Sequence, residues 1–155
     1  MMRILIVEDE NDKLEQLILV LRQKFGRGVE IKYFESLFSS IRNISKSDVF
    51  DLAVLDMSMP NYDISPEEPT GGQPESFAGR ELMYQMKLRN KLCPMVVVTQ
   101  YRSFDKGLID ILDLDAEFKK EFNNYYLGYV YYNSAIDGWK DTFTNILDKN
   151  FKGDI

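Results

Sequence analysis

The sequence predicts a single α/β domain: a doubly wound, five-stranded parallel sheet of order 2-1-3-4-5 with helices on both faces. Three observations predict it. Short aliphatic runs such as Ile4-Leu5-Ile6-Val7 and Leu52-Ala53-Val54-Leu55 read as strands buried on both sides. Amphipathic stretches alternate with these runs, as they do in repeated strand and helix units around a parallel sheet. A chain of 155 residues, 45% hydrophobic and 28% charged, suits one domain with a real core, and it contains no internal repeat.

The elements follow in order. Arg3 to Val7 is the first strand. Leu14, Leu17, Ile18, Leu21 and Phe25 recur at helical spacing, which predicts a helix from about Asn11 to Phe25, ended by Gly26 and Gly28. Val29 to Phe34 alternates Val29, Ile31 and Tyr33 as an edge-like strand, and Ser36 to Ile44 forms a short helix with Leu37, Ile41 and Ile44 inward. Leu52 to Asp56 is the third strand and Met95 to Thr99 the fourth, entered through Pro94. Tyr126 to Tyr132, rich in tyrosine, is the fifth. Helices over Ala78 to Arg89, Phe104 to about Phe122, and Ser134 to Lys149 fill the gaps, the last with Ile136, Trp139, Phe143, Ile146 and Leu147 on its apolar stripe. The domain spans residues 1–150, with a frayed tail over 151–155. The segment Pro60 to Ser76, with Pro66, Pro69, Gly71, Gly72 and Pro74, has no periodicity and reads as a long loop, functional or locally disordered.

Composition excludes several chemistries. The 19 basic against 25 acidic residues give a net charge of -6, which argues against a surface made to neutralise nucleic-acid phosphates. The chain holds no histidine, which removes His-based metal sites, catalytic triads and histidine proton relays. Its single cysteine, Cys93, excludes an internal disulfide and reads as an inert buried thiol. Without a leader or a bilayer-length apolar run, the chain is expected in the cytoplasm, away from membranes.

The chemistry left to it is that of carboxylates, hydroxyls and lysines. Asp9 and Asp56 each stand where an aliphatic run stops. In the order 2-1-3-4-5 the first and third strands are neighbours, and sites collect outside the carboxyl ends of such strands, so Glu8, Asp9 and Asp56 are expected to share a pocket. Hard oxygen ligands of this kind suit Mg²⁺. Taken alone, Glu8 to Asp12 also make an ordinary acidic helix start, Asp56 could be an exposed turn residue, and Thr99 a plain strand residue.

The stretches Ile6-Val7-Glu8-Asp9-Glu10, Leu55-Asp56-Met57-Ser58-Met59-Pro60 and Val96-Val97-Val98-Thr99 resemble the receiver domain of bacterial two-component response regulators, whose fold is flavodoxin-like. Gly79 and Leu82 match the glycine and leucine that open that family's third helix. The resemblance implies that Asp56 is the phosphoacceptor, a carboxylate nucleophile forming an acyl phosphate. It implies Asp9 as the principal ligand of Mg²⁺, Glu8 as orienting the metal's waters, the Ser58 carbonyl as completing the coordination, and Thr99 as a hydroxyl donor to a phosphoryl oxygen. A sensor histidine kinase or other phosphodonor protein and a downstream protein target are the implied partners, with a homodimer possible, and no enzymatic activity beyond self-phosphorylation and autodephosphorylation.

Three departures from the family bear on this. The fifth strand ends in Tyr129-Val130-Tyr131-Tyr132-Asn133-Ser134, with no lysine where the family has one, and Lys119 and Lys120 precede the strand. The loop from Pro60 to Ser76 is long, a lid or a partner contact. Gln100 and Tyr101 follow Thr99 where the family prefers a small residue, crowding Asp56. The leading expectation is a stand-alone receiver-type signalling domain. The alternative is a pseudo-receiver that never carries phosphate and serves as an interaction scaffold. A Mg²⁺-dependent phosphohydrolase or nuclease ranks third, for want of a second acid pair or general base.

Overall fold

The computed structural model describes residues 2–60, 77–101, 103–104 and 109–152. Its elements, in chain order, are β1 (Arg3–Val7), α1 (Asn11–Phe25), β2 (Glu30–Phe34), α2 (Leu37–Lys46), β3 (Leu52–Leu55), α3 (Ala78–Leu88), β4 (Met95–Thr99), β5 (Ser103–Phe104), β6 (Ile109–Asp110), α4 (Ile111–Glu121), β7 (Tyr126–Tyr131) and α5 (Gly138–Asn150). The parallel sheet has the order β2-β1-β3-β4-β7, so the order expected from the sequence holds, with β7 as the fifth strand.

Side-chain parity sorts the core into two layers, because successive strand residues face opposite sides. Leu5, Val7, Ala53, Leu55, Met95 and Val97 pack on one face against residues of α2, α3 and α4, among them Ile44, Leu82, Met86, Leu114 and Phe118. Ile4, Ile6, Leu52, Val54, Val96 and Val98 pack on the other against α1 and α5, with Leu17, Leu21, Trp139, Phe143 and Leu147. Every residue of β1 from Ile4 onward, of β3 and of β4 is buried, which is why these strands read as unbroken apolar runs. No helix among the described residues is long and apolar enough to cross a membrane.

Several boundaries differ from the sequence-based expectation. The fourth helix was expected from Phe104, but an antiparallel pair, β5 with β6, precedes it and α4 starts at Ile111. The cause is a capping box: the Asp110 side chain accepts from the Asp113 amide at 3.0 Å, and the Asp113 carboxylate accepts from the Asp110 amide at 3.1 Å. The last helix starts at Gly138 rather than Ser134, and Ile136 is 61% exposed instead of lying on the apolar stripe. Phe151, just past α5, packs on α1, its ring meeting that of Phe25 edge-on at 5.5 Å. Beyond Pro60, the long loop lies outside the described residues, as do 153–155.

β7 carries one irregularity. Tyr126 pairs with Met95 but Gly128 pairs with Val96, so Leu127 is an extra residue and Gly128 adopts φ 136°, a conformation that favours glycine. Beyond this bulge, Val130 and Tyr132 turn toward the α1/α5 layer.

Candidate functional site

The register of the central strands builds the site. Val7 of β1 pairs with Leu55 of β3, so the next residues, Glu8 and Asp56, leave the sheet side by side. The Asp56 amide donates to the Val7 carbonyl at 3.1 Å, and the Glu8 amide to that of Phe34 at 3.0 Å. Carboxylate oxygens of Glu8, Asp9 and Asp56 lie within 4.8 Å of one another, so the three acids expected to meet do meet. Glu8 and Asp56 are buried, at 1% and 2% exposure, while Asp9 faces solvent.

Each buried carboxylate is half anchored. Asp56 Oδ1 accepts from the Met57 amide at 2.7 Å, and Glu8 Oε2 accepts from the Glu10 amide at 3.1 Å. Their second oxygens, Asp56 Oδ2 and Glu8 Oε1, are buried and face the Lys13 ammonium instead of a backbone amide. Burial pushes the Asp56 carboxyl above the usual carboxylate range, against the pull of Lys13 and the Met57 amide. Glu8 is pushed up to about 8, chiefly by burial, with Lys13 opposing and the Asp56 charge adding to the rise.

The charge that faces both acids is Lys13, which sequence reasoning missed. Its Nζ lies 2.7 Å from Glu8 Oε1 and 3.4 Å from Asp56 Oδ2. It donates to the Val98 carbonyl at 2.8 Å and to Gln100 Oε1 at 3.0 Å, and the residue is fully buried. Removing one partner of such a buried pair costs about 3–5 kcal/mol, because the other charge is left without compensation. A signal was present in the sequence: Lys13 lies four and seven residues before Leu17 and Val20, on the inward stripe of α1, where a charge needs a partner. The end of β7 holds no lysine; Tyr132 stands there, its ring centroid 5.6 Å from Lys13 Nζ.

Thr99 ends β4, fully buried, and its Oγ1 accepts from the Tyr101 amide at 3.2 Å, which leaves the hydroxyl proton for donation. Ser58 is half-buried two residues past Asp56. Gly79, at the start of α3, closes the floor: its amide donates to the Met57 carbonyl at 3.0 Å, and its α-carbon backs directly onto the Asp56 carbonyl. The residues fit a hard divalent cation, since the buried Glu8 and Asp56 carboxylates converge with the exposed one of Asp9, more negative charge than Lys13 alone offsets.

Comparison with known proteins bears on the fold and the family. No family model matches the chain. It is 30% identical over 150 residues to the Detocs response regulatory protein DtcB of Enterobacter cloacae, covering 96% of this chain and 97% of that protein. It is 29% identical over 148 residues to the uncharacterized protein y4jR of Sinorhizobium fredii, covering 93% and 95%. Among solved structures, the phosphorylated cyanobacterial phytochrome response regulator RcpA superposes with a TM-score of 0.63 at 15% identity, over 95% of this chain and 91% of that one. The receiver domain of the sensor histidine kinase PA1611 of Pseudomonas aeruginosa, with a magnesium ion coordinated in its active-site cleft, has a TM-score of 0.56 at 12% identity, over 96% and 95%.

Proposed function

Since the chain belongs to the response-regulator receiver family, alongside the response regulatory protein DtcB, we propose that it is a signalling module whose Asp56 accepts a phosphoryl group in a Mg²⁺-dependent step. The observation that carries this reading is the half-anchored Asp56 carboxylate. The Met57 amide fixes Oδ1, while Oδ2 faces the Lys13 ammonium at 3.4 Å, and the carboxylate clusters with those of Glu8 and Asp9 at the carboxyl end of β3.

In this reading Glu8, Asp9, Asp56 and the Ser58 carbonyl hold Mg²⁺, which when bound supplies positive charge to offset that of the incoming phosphoryl group. A cleft magnesium ion in the PA1611 receiver supports that assignment. Asp56 is the nucleophile, aimed by its bond from Met57. Thr99 donates its hydroxyl proton to a phosphoryl oxygen, the Tyr101 amide holding its oxygen in place. A histidine kinase or another phosphodonor protein supplies the group, and a downstream protein reads the result.

A second reading, a scaffold that never carries phosphate, draws on one observation: Asp56 is only 2% exposed and already faces an ammonium. Intact-mass analysis after incubation with a small acyl phosphate and Mg²⁺ separates the two. A gain of one phosphoryl group that is absent in Asp56→Asn supports the phosphoacceptor. Mg²⁺ binding without any gain favours the scaffold, and steady release of phosphate from a phosphoester would point to hydrolysis instead.

A further inference from the structure

Among the described residues the buried charged side chains are Glu8, Lys13 and Asp56, and the reading above gives a task to both acids but none to the lysine. Burying an ammonium is costly, and this one is held in place by two well-formed hydrogen bonds, to the Val98 carbonyl and Gln100 Oε1. A third proton faces the carboxylates. There the geometry is uneven: Glu8 Oε1 is at 2.7 Å and Asp56 Oδ2 at 3.4 Å. The ammonium therefore stands next to the one Asp56 oxygen that the backbone leaves available.

Resting on the phosphoacceptor reading, we propose that Lys13 is a catalytic residue of phosphoryl transfer, its ammonium contacting the phosphoryl group from α1. In the step itself, Asp56 Oδ2 forms a bond to phosphorus as the bond from phosphorus to the donor's leaving atom breaks, and that electron pair departs with the donor. The phosphoryl oxygens arrive beside Nζ, which is itself buried, so that its positive charge is screened far less than at the surface. A lysine suits this place, being a compact point charge on a flexible stem that can follow the oxygens as they approach. On the side of β7 the described residue nearest the ammonium is Tyr132, which offers a ring face 5.6 Å from Nζ and no charge.

The test compares the intact chain with Lys13→Met and Asp56→Asn, each incubated with a small acyl phosphate and Mg²⁺ and followed by intact mass over time. The expected result is uptake by the intact chain that slows at least about ten-fold in Lys13→Met, whose circular dichroism remains that of the intact chain and whose Mg²⁺ binding by calorimetry is at least as tight, since a competing positive charge has left the acids. Uptake by Lys13→Met at the intact rate would overturn the role of Lys13 alone. No uptake by the intact chain would overturn the phosphoacceptor reading, and this assignment with it. Should Lys13→Met not fold, the unsubstituted protein decides: beryllofluoride, a phosphoryl mimic, should move the ¹⁵N resonance of the Lys13 ammonium, and an unmoved resonance overturns the contact.

Discussion

Gly79 is packed so tightly against Asp56 that a β-carbon built on it would collide with the Asp56 carbonyl oxygen and with Met57 Cε, the latter at 2.5 Å. The obstruction is backbone of the segment that carries the Asp56 carboxylate, so it cannot swing aside as a side-chain tip would. Gly79→Ala should therefore cost about 3 kcal/mol in urea unfolding, the upper end of the range for overpacked cores. It should also slow any phosphoryl uptake, because the floor of the site moves with it. A loss of stability too small to measure would mean that the segment yields more easily than its packing implies.

The pocket makes the metal-free protein sensitive to alkali. Glu8 is raised to about 8 and Asp56 is raised as well, so both favour the protonated form when folded more than when unfolded. The stability they contribute is complete below their ordinary values near 4 and is lost as pH climbs through about 8. With no histidine in the chain, few other groups titrate in that interval. In a chelator, the urea midpoint should fall between about pH 5.5 and about pH 8.5. A midpoint that rises over this range would contradict the raised carboxyls.

Asp9 is exposed and lies with Glu8 and Asp56, so it offers a way to weaken metal binding without disturbing the core. Asp9→Asn should change stability in chelator by no more than about 0.5 kcal/mol, as surface substitutions do. It should lower Mg²⁺ affinity by roughly ten-fold or more in calorimetry, the size of effect expected when a hard cation loses a charged ligand. Saturating Mg²⁺ should raise the melting temperature of the unsubstituted chain, through binding linkage, and do so less for the variant. Equal affinities would remove Asp9 from the ligand set.

Cys93 is 1% exposed beside Pro94, and its thiol is pushed up to about 12 by burial first and by the nearby Asp51 charge second. The thiolate is the reactive form, so iodoacetamide at about pH 8 should label the folded chain far more slowly than the chain in urea. Rapid labelling of the folded protein would show that the N-terminal end of β4 opens on the timescale of the assay.

Much of the fold was legible because burial on both faces leaves a plain mark. β1, α1 and β4 have the expected bounds, and Ile4 to Val7 or Met95 to Thr99 admit few other readings. The acid cluster was legible for the same reason, since two acids at the ends of adjacent buried strands have nowhere else to go. The start of α4 was not, because the residues after Phe104 carry a tolerable helical pattern, and only the reciprocal bonds of Asp110 and Asp113 set the boundary. Lys13 was not legible as a site residue, because the family resemblance points to a lysine at the end of β7, whereas this pocket takes its cation from α1. Its position on the stripe of Leu17 and Val20 was the available clue.

The extra residue in β7 reaches further than the strand itself. By inserting Leu127 against an unbroken β4, the chain exchanges the two faces of everything that follows, so that Val130 and Tyr132 meet the α1 layer. A β7 one residue shorter would point Tyr132 at the opposite layer and leave the Lys13 ammonium without its aromatic neighbour. Which side chain closes this wall is thus decided by counting along the backbone, six residues upstream of Asn133, where no charged group takes part.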